Sequence, residues 1–161
     1  MATPPLTDRA FDDLVAGVPE DHVVVEPAFE AVVDLATARN LGKGPYGVRR
    51  VVPITGGRVR GPRLSGTIAS GGADRQLVRD DGVRVLEAVY ELRTDDGAVL
   101  SVVNNVLLDE SSPERRYARS VLTVTAPAGP YDWLNRRLLV GTLHSLRPAR
   151  HAVLVRVFVL T

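Results

Sequence analysis

The residues best suited to proton chemistry are one acid and two carboxamides in the middle of the chain. Asp74 and Gln76 occupy alternate positions of an extended run, and Asn104 lies in a similar run further along. A carboxyl group inside an apolar enclosure has a raised pKa and can move a proton near neutral pH. The two carboxamides can hold a carbonyl or hydroxyl group of a ligand. The combination predicts proton transfer without a cofactor, with Asp74 as the acid or base.

Each of these residues also has a structural interpretation. Asp74 follows Gly71-Gly72, so it suits a turn or a cap equally well. Gln76 and Asn104 can instead satisfy each other and a buried water. Glu87 is a second candidate for the ligand site if its face is internal, although such residues more often lie in solvent.

The segment 71–108 has to position these side chains. It contains three runs rich in Val, Leu and Tyr, which are separated by Asp80-Asp81-Gly82 and Asp95-Asp96-Gly97. Asp-Gly is typical of the two-residue type I′ hairpin turn, in which both central residues need a positive φ. The pattern therefore predicts three consecutive antiparallel strands joined by tight turns.

These turns predict a register in which Gln76 pairs with Glu87 and Asn104 pairs with Val89. One face of the three strands then carries both polar and apolar side chains, namely those of Asp74, Gln76, Val78, Val85, Glu87, Val89, Glu91, Arg93, Leu100, Val102, Asn104 and Val106. Tyr90 falls on the opposite face. Neither face is plainly polar, which favours a sheet covered on both sides or closed into a barrel with polar groups inside.

The rest of the chain continues the strand pattern. Short apolar runs alternate with turns that contain Gly or Pro, and the final run, 152–160, is rich in Val and Leu. About eight to ten strands at this spacing predict an all-β fold, and consecutive hairpins favour an antiparallel up-and-down β-barrel. Residues 1–22 are predicted to form a tail and a short helix, capped by Thr7, that closes one end of the barrel or lies on its wall. Residues 23–161 are predicted to form a single barrel domain.

The composition excludes several classes of protein. The chain has 161 residues, no cysteine and a net charge of +1, so thiol chemistry is excluded and neither nucleic acid nor a membrane is an expected partner. No apolar run approaches the about 20 residues of a membrane helix. A signal peptide is not visible, and the expected location is the cytoplasm.

No cofactor and no metal site are predicted. Lys43 lies between glycines, but the spacing of a phosphate-binding loop is missing. His144 and His151 are seven positions apart without an evident third ligand. Neither histidine is accompanied by the turn that presents a nucleophilic serine.

Four further residues are candidates for contact with a ligand. Arg119 and Arg50 could bind an anionic group, although such arginines more often lie at the surface. Trp133 and Tyr90 could line a pocket for a flat apolar molecule, although aromatic residues in a barrel more often belong to the core.

Five motifs, in order, resemble the bacterial family called domain of unknown function 3237. They are Arg49–Gly57, Gly61–Gly66, Gly71–Gln76, Tyr90–Gly97 and Trp133–Arg136. The resemblance covers about residues 28–160 and implies a lipocalin-like antiparallel barrel without a generally assigned activity. It also implies site residues at the matching positions, Asp74, Gln76, Asn104, Arg119, Trp133 and Asn135.

The chain departs from the family pattern next to these positions. Arg75 stands where the family usually has Trp, and the runs Val103–Val106 and Tyr117–Ser120 differ from the family's sequences. The altered neighbours indicate either a specialised pocket or drift in a structural protein.

The sequence favours a small-molecule-binding barrel that performs cyclisation, isomerisation or water elimination on a polyketide-like or aromatic metabolite of secondary metabolism. Such reactions need mainly a shaped cavity and a few fixed polar groups. A non-catalytic carrier or sensor of a small hydrophobic ligand and a structural dimeric barrel are the alternatives. The two-faced hydrophobicity of the strands also predicts a homodimer.

Overall fold

A computed structural model of the chain describes residues 5–161. These residues form one α-helix, α1 (Asp8–Ala16), and ten β-strands. The strands are β1 (Val25–Leu35), β2 (Arg39–Gly44), β3 (Gly47–Arg60), β4 (Ser65–Ile68), β5 (Ala73–Val78), β6 (Arg84–Thr94), β7 (Val99–Asp109), β8 (Tyr117–Thr125), β9 (Leu139–Ser145) and β10 (Ala152–Leu160). A short 3-10 helix, Asp132–Arg136, connects β8 to β9.

The strands close into an antiparallel barrel with eight strand positions. β1 pairs with β10 on one side and with β3 on the other, which removes the open edges of the sheet. β4 and β5 lie one after the other between β3 and β6, and each pairs with both of these strands. β1 pairs with the second half of β3, and β2 pairs with its first half. The predicted all-β, antiparallel up-and-down barrel is confirmed.

The two Asp-Asp-Gly turns differ from the predicted type. The N–H of Arg79 donates to the carbonyl of Val83, so three residues rather than two lie in the first loop. Only the glycines have a positive φ, 87° at Gly82 and 97° at Gly97, and within residues 5–161 no other residue type does. A type I′ turn needs two successive residues with a positive φ. The predicted turn type is therefore wrong, and each loop is one residue longer.

The longer loops shift the register of both hairpins by one residue. Gln76 pairs with Leu86, and Asn104 pairs with Ala88. Because side chains alternate with a period of two, a shift of one residue exchanges the two faces of a strand. The first shift exchanges the faces of β6 relative to β5, and the second exchanges those of β7 relative to β6. β7 therefore keeps its predicted orientation relative to β5, and Asp74, Gln76 and Asn104 still share the inner face.

Only β6 is reversed relative to the prediction. Tyr90 is buried inside the barrel on the same face as Asp74, whereas Glu87 is exposed on the outer face. The predictions that Tyr90 lies opposite Asp74 and that Glu87 lies beside it are both wrong, and the length of the turn is the physical reason.

Apolar side chains fill the end of the barrel near the short 3-10 helix. Leu134 of that helix is buried in the main core cluster, together with Leu92, Leu100 and Leu139. The hydroxyl of Tyr131 donates to Asp96 Oδ1 at 2.8 Å, which ties this segment to the β6–β7 turn. This end of the barrel is therefore closed.

Helix α1 does not belong to the core. Thr7 caps it as predicted, because its hydroxyl accepts from the N–H of Ala10 at 3.3 Å. No residue of α1 is buried, and Phe11, Leu14 and Val15 are more than half exposed. The expected packing of this helix against the end or wall of the barrel is not found. The tail residues 1–4 lie outside the described residues, and no helix within 5–161 has the length and apolarity to cross a membrane.

Candidate functional site

A cavity of about 370 Å³ lies inside the barrel, away from the closed end. Apolar side chains form most of its wall, including Val52, Leu86, Tyr90, Val106 and Val155. Its volume falls in the range of about 300–1,000 Å³ that is usual for small-molecule sites. The barrel therefore encloses space for a ligand.

The acid and the two carboxamides predicted from the sequence all line this cavity. Asp74 and Asn104 lie on either side of Ala88, since both pair with it. Neighbouring strands are about 4.8 Å apart, so the Cα atoms of Asp74 and Asn104 are about 10 Å apart. Because Ala88 has only a methyl group, the space between the two polar side chains stays open.

These polar groups are buried but incompletely hydrogen-bonded. Asp74 is 8% exposed and Asn104 is 2% exposed. Gln76 Nε2 donates to Asp74 Oδ2 at 2.6 Å. Three buried oxygens have no hydrogen-bond partner among the described residues, namely Asp74 Oδ1, Gln76 Oε1 and Asn104 Oδ1. An unpaired buried acceptor costs about 1–3 kcal/mol, so a donor that reached these oxygens would relieve that cost.

Burial raises the pKa of Asp74. The hydrogen bond from Gln76 and the positive charge of Arg50 oppose this effect. Arg50 is placed for this role because it pairs with Gln76 across β3 and β5 and lines the cavity. A carboxyl group with a raised pKa, held in one orientation by Gln76, holds a proton more readily than an exposed carboxyl group and is suited to proton transfer.

Tyr90 lies on β6 next to this group, two residues beyond Ala88. Burial raises the pKa of its phenol, so the hydroxyl remains protonated. The backbone of Gly72 runs against it, because a Cβ at Gly72 would lie 2.7 Å from the Cβ of Tyr90. The glycine therefore allows β5 to approach β6 and brings Asp74 close to the aromatic wall.

Two predicted site residues lie outside the barrel. Glu87 and Arg119 are both exposed on the outer face. Arg119 alternates with the buried residues Ala118 and Ser120, and its guanidinium donates to the carbonyl of Ala118 at 3.0 Å. The predicted contacts of Glu87 and Arg119 with a ligand in the cavity are therefore wrong.

Trp133 and Asn135 lie at the closed end and do not line the cavity. Trp133 packs against the core, and the guanidinium carbon of Arg63 lies 4.1 Å from its ring centroid. Asn135 accepts from the N–H of Ala126 and donates to its carbonyl, each at 2.9 Å. Both residues hold the closing segment in place, which corrects their predicted role as ligand contacts.

Four charged residues and His151 lie at the mouth of the cavity, where the sequence did not place them. Arg84, Glu110, Arg116, Arg147 and His151 all contribute to its lining. They come from three separate stretches, at 84, 110–116 and 147–151, so no local pattern connects them. Within residues 5–161, no group of three or more His, Asp or Glu side chains is arranged to hold a metal ion.

Comparisons with known proteins identify the family. The family model described as a protein of unknown function (DUF3237) matches residues 23–160. A UPF0311 protein of Rhodopseudomonas palustris strain TIE-1 is 33% identical over 132 residues, which cover 74% of this chain and 81% of that protein. UPF0311 protein CA_C3321 of Clostridium acetobutylicum is 33% identical over 107 residues, 58% of this chain and 68% of that protein.

Solved structures share the barrel. A β-barrel-like protein from Acinetobacter baumannii AYE has a TM-score of 0.81 and 28% identity, covering 89% of this chain and 99% of that one. The protein of unknown function RPA1785 from Rhodopseudomonas palustris has a TM-score of 0.79 and 29% identity, covering 88% and 100%. An enzyme from Penicillium herquei has a TM-score of 0.72 at 21% identity, covering 90% and 99%, and shares the fold alone. With its family model matched over the whole barrel, the chain belongs to the DUF3237 family of proteins of unknown function.

Proposed function

We propose that the protein binds a small molecule inside the barrel and catalyses cofactor-free proton transfer on it. The observation that carries this proposal is the set of three buried, unpaired oxygens on Asp74, Gln76 and Asn104 in the wall of one cavity. Their cost in stability would be offset by hydrogen bonds to a ligand. Cyclisation, isomerisation or water elimination on a polyketide-like or aromatic metabolite fits an apolar cavity with so few polar groups.

Each residue has a distinct part in this reaction. Asp74 takes or gives the proton through Oδ1, because Oδ2 is held by Gln76. Asn104 orients a hydroxyl or carbonyl of the substrate from the other side of Ala88. Tyr90 forms the apolar wall. The proposed setting, a cytoplasmic enzyme of secondary metabolism, rests on the sequence prediction alone.

Proton exchange at carbon tests the proposal with 2-tetralone as a probe. In D2O, removal of a proton next to the carbonyl and return of a deuteron replaces C–H by C–D, which proton NMR follows. Asp74→Asn should lower the exchange rate about 100-fold or more while affinity stays within about tenfold. The control is Glu87→Gln, which removes an outward acid and should leave the rate unchanged. Retained exchange in Asp74→Asn would eliminate Asp74 as the base.

Binding of 2-tetralone without any exchange by the unaltered protein would favour the carrier or sensor alternative. The cavity supports both functions, since each requires an enclosed apolar space with fixed polar groups. Absence of both binding and exchange would contradict a ligand site for this class of molecule.

The homodimer remains a proposal. The outer surfaces of β6, β7 and β8 expose large apolar side chains, including Val85, Leu107, Tyr117 and Val121. Exposed apolar patches often mark protein interfaces, which supports association through this wall. Light scattering at micromolar concentration tests it, and a monomeric mass would contradict it.

A further inference from the structure

The mouth of the cavity is built from charged side chains at one end of the barrel. Arg84 begins β6, Glu110 follows β7, Arg116 precedes β8, Arg147 follows β9 and His151 precedes β10. Because consecutive strands run antiparallel, these starts and ends meet at the same end of the barrel. All five residues line the cavity, and four of them are exposed. Any ligand that enters from this end passes them.

Positive charge exceeds negative charge along this path. Arg84 and Arg116 share one carboxylate, that of Glu110, and the contact of Arg116 Nε with Glu110 Oε1 is 3.0 Å long. Arg147 donates to Nε2 of His151. Within residues 5–161, Arg147 has no carboxylate within ion-pairing distance. Arg147 and one of the two guanidinium groups at Glu110 therefore carry uncompensated charge.

The whole lining gives the same result. Four arginines, with Arg50 as the fourth, face two carboxylates, those of Asp74 and Glu110. The lining thus carries a net charge of +2 even when Asp74 is ionised and His151 is neutral, whereas the whole chain of 161 residues carries only +1. A cleft lined by one sign of charge with apolar walls attracts ligands of the opposite sign.

The charge lies at the mouth and the apolar wall lies deeper. Along β6, Arg84 at the mouth is four residues from Ala88 at the level of Asp74, which is about 13 Å of extended backbone. The arginine side chains shorten this distance for a bound molecule. A ligand with a charged group at one end and a fused-ring body at the other fits this separation.

We propose that the ligand is an organic carboxylate, whose charged group binds Arg147 and the guanidinium pair at Glu110 while its uncharged body fills the cavity. This inference rests on the proposed function only in requiring a ligand inside the barrel. A guanidinium fork matches a carboxylate in two parallel hydrogen bonds. Arg147 is the main determinant, because it has no competing carboxylate among the described residues.

A matched pair of probes, 2-naphthoate and 2-naphthamide, tests the charge preference because the two molecules share one ring body. Calorimetric titration at low salt should show 2-naphthoate binding about tenfold more tightly or better. The difference should shrink when the ionic strength is raised to about 1 M. Arg147→Gln should weaken 2-naphthoate about tenfold and leave 2-naphthamide unchanged.

Arg119→Gln provides the control, since it removes the same charge from the outer face of the barrel. It should leave both affinities unchanged. Equal binding of the two probes overturns the inference but leaves a ligand-binding cavity intact. Equal weakening by Arg147→Gln and Arg119→Gln also overturns it, because the preference would then reflect overall charge. Binding of neither probe overturns both this inference and the proposed function for aromatic ligands.

Discussion

Replacement of Asn104 by leucine should make the protein more stable. The carboxamide is 2% exposed, and its Oδ1 has no hydrogen-bond partner within residues 5–161. Leucine has nearly the same shape, so it removes the unpaired acceptor without leaving a void. The unpaired acceptor costs about 1–3 kcal/mol, and we expect Asn104→Leu to raise the free energy of unfolding by about 1–2 kcal/mol. For a chain of this length, that corresponds to about 2–8 °C in Tm.

The same substitution at Asn135 should have the opposite effect. Asn135 makes two hydrogen bonds of 2.9 Å to the backbone of Ala126. Asn135→Leu removes both and leaves the backbone groups of Ala126 unpaired, which should lower stability by about 1–3 kcal/mol. Urea unfolding followed by circular dichroism measures both variants.

The two variants should change the free energy of unfolding in opposite directions. If Asn104→Leu destabilises the protein as much as Asn135→Leu, the carboxamide of Asn104 must be fully satisfied. The hypothesis that Asn104 is retained to bind a ligand would then lose its main support. A residue that is kept for function at a cost in stability should give a more stable protein when it is replaced.

Three further results are expected. Burial raises the pKa of Asp74 above its ordinary value of 3.8, so the folded state retains its proton to higher pH than the unfolded state. Stability relative to Asp74→Asn should therefore fall as the pH rises above about 4 towards neutrality, and urea unfolding across this range would show the reverse trend if the Gln76 hydrogen bond dominated. Ala88→Phe should fill the space between Asp74 and Asn104 and abolish binding of 2-naphthoate in calorimetry, and unchanged binding would place the ligand elsewhere. Gly72→Ala should lower the unfolding free energy by about 1–3 kcal/mol, because its Cβ would lie 2.6 Å from the carbonyl oxygen of Val89, and a thermal melt like that of the unaltered protein would contradict this close approach.

The barrel could be predicted because strand and turn signals recur along most of the chain. The loop length could not, because an Asp-Asp-Gly sequence fits both a two-residue turn and a three-residue turn that ends in glycine. Gly82 alone adopts the positive φ in the first loop, and this choice depends on the pairing of Arg79 with Val83. The sequence therefore predicted the right strands with β6 facing the wrong way.

The candidate site was predictable where it depends on alternation within a strand. Asp74 and Gln76 share a face in any register, and Asn104 joins them because two opposite errors cancel. The charged mouth was not predictable, because Arg84 and Arg147 are far apart in the sequence and line the same cavity only when the barrel closes.

The family motif that contains Trp133 and Asn135 was predicted to contact a ligand. It instead holds the closed end of the barrel, with Asn135 bonded to the backbone of Ala126. A motif shared with a family therefore does not distinguish a structural role from contact with a ligand.

The two three-residue loops control which side of each later strand faces inward. A deletion that shortens the loop at 80–82 to two residues and keeps Arg79 paired with Val83 leaves every side chain of β6 on its present face. A slip of that pairing by one residue instead turns Glu87 and Glu91 to the interior and Leu86 and Tyr90 to solvent. The same slip at both hairpins inverts β6 alone and restores β7. The lining of the cavity therefore depends on the residue pairs that close two loops outside it, Arg79 with Val83 and Thr94 with Ala98.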